Sequence, residues 1–79
     1  MSLLPLVEQT IKLIVNEPEA VTVREGQDKA ATIFTVTVSP NDVGRVIGKD
    51  GRVITCIRQL VGAAGQKARQ KTVVKVETN

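Results

Sequence analysis

Gly48-Lys49-Asp50-Gly51 is the segment whose residue types and spacing suit a chemical task, and that task is gripping a phosphate. Two glycines lack the Cβ atoms that would hold a sugar–phosphate backbone at a distance. Lys49 supplies a cation between them. A helix beginning just after such a loop offers backbone N–H donors without partners and the positive end of its dipole. Apolar residues flank the loop on both sides, Val46-Ile47 before it and Val53-Ile54 after Arg52. This pattern carries one helix into a tight turn and a second helix straight out of it. The segment reads as a nucleic-acid clamp.

The elements that must position the loop follow from periodicity. Leu4, Val7, Ile11 and Ile14 recur at helical spacing, predicting a helix over 3–16 that Ser2 can cap and that admits Pro5 in its first turn. Asn16-Glu17-Pro18 ends it. Residues 20–24 alternate as a strand, with Val21 and Val23 on one face, and 25–29 form a polar hairpin connection. In 32–38, Phe34, Val36 and Val38 face one way and Thr35 and Thr37 the other. Ser39 or Asn41 caps a short helix through Val43 and Val46 that stops at Gly48. Val53, Ile57, Leu60, Ala64 and Ala68 then mark the buried stripe of a long helix, with Cys56 beside it as a small buried hydrophobe. Residues 72–77 form a last strand, with Val74 and Val76 on one face. The order α-β-β-α-α-β predicts a two-layer α+β domain, a three-stranded sheet packed on three helices.

Size and composition narrow the functions. Seventy-nine residues make one domain with one modest core, and a single aromatic, Phe34, leaves that core to Val, Ile, Leu and Ala. The absence of His and the presence of one Cys, Cys56, exclude the usual zinc sites, an internal disulfide and His-based catalysis. The expectation is a protein that is not an enzyme and needs no cofactor. No apolar run reaches the roughly 20 residues needed to span a bilayer. The first residues lack a basic segment and meet Glu8 early, which makes a poor signal peptide, and the single cysteine, Cys56, fits a reducing cytoplasm. Charge is divided: residues 1–43 balance at −3 and residues 44–79 at +6, within a net +3. Such polarity draws polyanions to one region.

Gly-x-x-Gly alone specifies little, because the chain holds a second one. Gly62-Ala63-Ala64-Gly65 lies inside the long helical pattern without charge between its glycines, and reads as close packing by small residues. The first motif differs in its flanks, its cation and its place between two helices. Val46-Ile47-Gly48-Lys49-Asp50-Gly51-Arg52-Val53-Ile54 resembles the signature of the K-homology (KH) domain, where Ile-Gly-x-x-Gly joins two helices. The element order resembles the type II, prokaryotic arrangement over essentially the whole of 1–79. More closely, the chain is similar to the small stand-alone bacterial KH proteins of the KhpA kind.

The resemblance implies a binder of single-stranded RNA, an RNA chaperone or post-transcriptional regulator. Gly48, Lys49, Asp50 and Gly51 would grip the backbone of about four nucleotides. Ile47 and Ile54 would line an apolar groove under the bases, with Val36 a further groove candidate. Arg45 and Arg52 would add phosphate contacts. Arg58, Lys67, Arg69, Lys71 and Lys75 read as a solvated basic face. The resemblance also implies self-association as a homodimer, and pairing with a larger KH-containing protein of the Jag/KhpB kind, a pairing tied to cell shape and division. An adapter in which RNA contact is secondary, or a ribosome-associated factor, are the alternatives. With no Trp or Tyr, base stacking on aromatics is not available, so backbone donors, cations and an aliphatic groove must carry binding. Asp50 opposes Lys49 and predicts modest affinity from one copy, raised by a second KH surface.

Overall fold

A computed structural model describes residues 3–78, so the cap expected at Ser2 lies outside the described residues. Helix α1 spans Leu4–Ile14 and buries Val7 and Ile11, with Leu3 ahead of it also in the core. It ends two residues before the expected limit, where Val15 turns extended. Pro18–Ala20 forms a 3₁₀ turn, so the first strand begins at Thr22 rather than at residue 20. Proline fixes φ near the helical value, and the turn closes with Val21 N–H donating to the Pro18 carbonyl (3.2 Å).

Strand β1 (Thr22–Asp28) pairs antiparallel with β2 (Ala31–Val38). The polar stretch read as a hairpin connection is therefore strand, and the turn is the dipeptide Lys29-Ala30. Glu25, Gly26, Gln27 and Asp28 bury nothing, and an edge strand needs only its backbone ladder to exist; Gln27 adds a side-chain bond to the Thr32 hydroxyl (3.1 Å). β2 is the central strand and behaves as its alternation predicts. Thr32, Phe34, Val36 and Val38 point into the core and are buried, while Thr35 and Thr37 are half-covered on the other face.

After β2, a 3₁₀ turn at Pro40–Asp42 leads into helix α2 (Val43–Ile47). The Ser39 hydroxyl accepts from Asn41 N–H (3.4 Å), so it caps this turn rather than α2 itself. Helix α3 spans Arg52–Lys67, and strand β3 (Lys71–Thr78) returns parallel to β2, giving the sheet order β1-β2-β3. The fold is α+β, as expected from the element order.

The rotation of α3 corrects the predicted stripe. Ile54, Ile57, Val61 and Gly65 face the core; Val53 and Ala64 sit at its margin, and Leu60 and Ala68 are exposed. Gly65 sets this rotation. A Cβ there would lie 2.8 Å from both the Gln70 carbonyl oxygen and Thr72 Cγ2, so α3 closes on the start of β3 with Gly65 inward. The inward positions then step back along the helix at intervals of three and four to Ile54. Cys56 falls on the outer side and is exposed, contrary to its reading as a buried hydrophobe. Gly62 has nothing within 4 Å of a Cβ, so close packing in the second Gly-x-x-Gly belongs to Gly65 alone.

Candidate nucleic-acid interface

The loop is a turn built on left-handed backbone. Helix α2 stops at Gly48, whose N–H donates to the Gly44 carbonyl (2.8 Å) and whose φ of 78° and ψ of 172° suit glycine alone. Lys49–Gly51 then forms a single 3₁₀ turn, closed by Gly51 N–H to the Gly48 carbonyl (3.2 Å). Asp50 (φ 57°) and Gly51 (φ 74°) are both left-handed, and α3 begins at the next residue. Sequence reasoning places the turn correctly but does not foresee this double left-handed step. It also explains Asp50: short polar residues tolerate the left-handed region far better than Lys or a β-branched residue. The residue that opposes Lys49 in charge is thus suited to the backbone the turn requires.

Glycines at both helix starts leave no side chain to cap the amides that follow. The first-turn N–H groups of a helix have no intrahelical acceptor, though that of Arg52 donates to the Lys49 carbonyl in the preceding 3₁₀ turn. Lys49, Asp50 and Arg52 are exposed around them. Thr55 donates its hydroxyl to the Gly51 carbonyl (2.8 Å), so that acceptor is occupied. The arrangement presents donors and two cations with one carboxylate among them.

The other predicted residues are not all brought to this surface. Ile47 is half-buried beside the loop. Ile54 is only 5% exposed and belongs to the core. Val36 is fully buried in the core and has no surface to offer a base, so a groove cannot open on it in this conformation. Arg45 is exposed but drawn away from the loop. With the Asn16 amide turned so that its oxygen faces the guanidinium, that oxygen accepts from Arg45 Nε (3.0 Å) and Nη2 (3.2 Å). Helical side chains lean toward the N-terminus, and here Arg45 leans back to the chain after α1.

Asp42, which sequence reasoning passes over, anchors the same place. Its carboxylate is fully buried and accepts two backbone amides, Asn16 N–H at Oδ1 and Glu17 N–H at Oδ2 (3.0 Å each). The Ser39 hydroxyl donates to Glu17 Oε2 (2.8 Å). Asp42, at the N-cap of α2, and Arg45, three residues on within the helix, thus hold opposite ends of Asn16. The start of α2 is fixed by polar bonds to the chain just after α1, and Val46 on α2 is buried in the core.

A three-helix, mixed-sheet domain with Gly-x-x-Gly joining its second and third helices is a type II KH fold. The family model described as KhpA/KhpB, KH domain matches residues 5–76. The protein named RNA-binding protein KhpA in Clostridium perfringens is 44% identical over 71 residues, covering 90% of this chain and 95% of that one. Its namesake in Caldanaerobacter subterraneus subsp. tengcongensis is 39% identical over the same coverage. The chain belongs to the KhpA/KhpB family of KH domains. Among solved structures, Aquifex aeolicus Era superposes with a TM-score of 0.63 at 14% identity, over 99% of this chain and 31% of that one. Era in complex with nucleotides 1506–1542 of 16S ribosomal RNA gives a TM-score of 0.59, also at 14% identity and 31% coverage of that chain. At this identity the two structures speak for the fold alone. No helix among the described residues is long and apolar enough to cross a membrane.

Proposed function

We propose that this chain binds single-stranded RNA, as an RNA chaperone or post-transcriptional regulator without catalytic activity, gripping the backbone at Gly48-Lys49-Asp50-Gly51. The observation that carries this reading is the left-handed turn at Asp50 and Gly51. It starts α3 with no side-chain cap beside the exposed Lys49 and Arg52, the Arg52 N–H being taken up by the Lys49 carbonyl. The relatives' name, RNA-binding protein KhpA, supports the same reading. Lys49 and Arg52 are the direct phosphate partners. Ile47, half-exposed beside the turn, is the apolar contact for a base, with Ile54 beneath it as support. The cytoplasm, where RNA is abundant and Cys56 stays reduced, is the compartment we assign.

The experiment is Lys49→Asp, which replaces a cation by an anion on an exposed turn. Affinity for an unstructured oligoribonucleotide should fall at least tenfold, with circular dichroism unchanged, and the parent should lose affinity linearly in log salt. Unchanged affinity would remove the loop from the binding surface.

A second reading, association through protein contacts, is favoured by Leu60, a large apolar side chain left 48% exposed on α3. A homodimer, or a pair with a larger KH protein of the Jag/KhpB kind, would cover it and bring a second KH surface alongside the first. Sedimentation of the parent and of Leu60→Glu across concentration tests this association.

A further inference from the structure

The four cations Lys29, Lys67, Arg69 and Lys71 come from two distant stretches of sequence, and the topology gathers them at one end of the molecule. β2 and β3 run parallel with Ala31 opposite Lys71, so the β1–β2 turn and the α3–β3 turn lie side by side. Lys29 occupies the first turn, and Lys67, Arg69 and Lys71 surround the second. All four are exposed, and neither ion pair among the described residues, Lys12–Glu8 or Arg24–Glu77, involves them. The one acidic residue in the two segments is Asp28, next to Lys29. The loop sits at the other end of α3, roughly 22 Å away at 1.5 Å per residue.

Backbone conformation separates this cluster from ordinary solubilising charge. Lys29 has φ 55° and Arg69 φ 58°, both left-handed. Glycine or asparagine is the low-strain choice at such positions, and a long side chain there is uncommon. Both turns at this end therefore carry a cation where the backbone favours glycine. Strained residues of this kind are grounds for a functional hypothesis.

The geometry points to a second nucleic-acid contact: a phosphate-backbone site at the hairpin and α3–β3 turns, which engages the same RNA strand beyond the loop, or a second strand. An acidic protein partner fits less well. Protein interfaces rest on apolar and aromatic anchors. The cations here are interleaved with Ala30, Gln66, Ala68 and Gln70, and the large exposed hydrophobic residues among those described, Leu13 and Leu60, lie outside both segments. Phosphate recognition needs no such anchor. Two backbone sites on one small domain would let it hold two RNA segments together, which is the physical requirement for annealing or chaperoning.

The test compares the parent with Lys29→Gly, Lys67→Gln, Arg69→Gly and Lys71→Gln combined. Glycine at the two left-handed positions keeps the turns, so the melting temperature should match or exceed the parent's. Binding is measured to a five-nucleotide oligouridylate, which fills the loop alone, and to a twenty-nucleotide one. The combined variant should keep its affinity for the short oligomer, lose about tenfold for the long one, and show a log–log salt slope reduced by about two for the long one. Lys49→Asp should do the reverse, abolishing short-oligomer binding and leaving residual long-oligomer binding. The same loss for both lengths would mean a diffuse field and overturn the site. An unchanged affinity for the long oligomer would overturn it too, even if binding to an acidic polypeptide were lost. If the parent binds neither oligomer, both this site and the loop clamp are refuted; if only the loop reading fails, Lys49→Asp is silent while the combined variant is not.

Discussion

A Cβ built on Gly48 lies 2.8 Å from both the Cβ and the backbone nitrogen of Val53, and closer still to Val53 Cγ2. The end of α2 is thus pressed onto the first turn of α3, and the four-residue link between them has no slack. Gly48→Ala should cost about 3 kcal/mol, combining a backbone conformation reserved for glycine with overpacking against Val53. Urea denaturation measures it. Gly62→Ala is the control within the other Gly-x-x-Gly: nothing lies within 4 Å of its Cβ, and a helix interior gains up to about 1 kcal/mol from the change.

Asp42→Ala should remove about 2 kcal/mol, because it leaves the Asn16 and Glu17 amides without acceptors in a part-buried site. Hydrogen exchange of those two amides should accelerate more than that of β2. Unchanged protection would show that the linker does not depend on the carboxylate.

Arg45→Ala and Asn16→Ala should behave alike. Each breaks the same guanidinium–amide contact, so the double variant should be less destabilised than the sum, with coupling of about 0.5–1 kcal/mol. RNA titrations at several salt concentrations decide between this structural duty and direct contact. A salt slope reduced by about one in Arg45→Ala but not in Asn16→Ala would make Arg45 a phosphate ligand after all.

Asp50→Asn should strengthen RNA binding by up to about 1 kcal/mol at low salt, since it removes the anion beside Lys49 and keeps a residue that tolerates φ 57°. The gain should fade as salt screens the turn. Asp50→Ile should instead lower the melting temperature.

Cys56, exposed on the outer side of α3, should react with one equivalent of a maleimide in the native protein. Protection that appears only at high protein concentration would place α3 in an interface.

The parts of the fold that sequence reveals are those governed by local periodicity. Alternation in β2 assigns Phe34, Val36 and Val38 to the core because a strand allows only two faces. The loop residues are equally plain, since two glycines, a cation and β-branched flanks coincide nowhere else. What stays hidden depends on partners far along the chain. Two helical stripes, one through Leu60 and one through Val61, fit α3 equally well until Gly65 meets Gln70 and Thr72. Asp42 reads as a turn residue, and its two amide donors lie 25 and 26 residues away. Residues 25–28 look like a loop because an edge strand can be polar throughout. Arg45 lies close to the loop in sequence, yet the lean of helical side chains sends it the other way.

The parallel register of β2 and β3 joins residues 40 apart, Ala31 with Lys71 through Val38 with Thr78, and both helices flanking the turn lie on the connection between them. The contacts that close this fold are therefore remote along the chain, and the loop-closure entropy they demand must be met before the pairing can stabilise anything. No excised peptide covering α2, the turn and α3 should hold the left-handed step by itself. The turn forms when the whole domain forms and is lost when it unfolds, so an RNA strand bound there should register as slower unfolding of the entire chain.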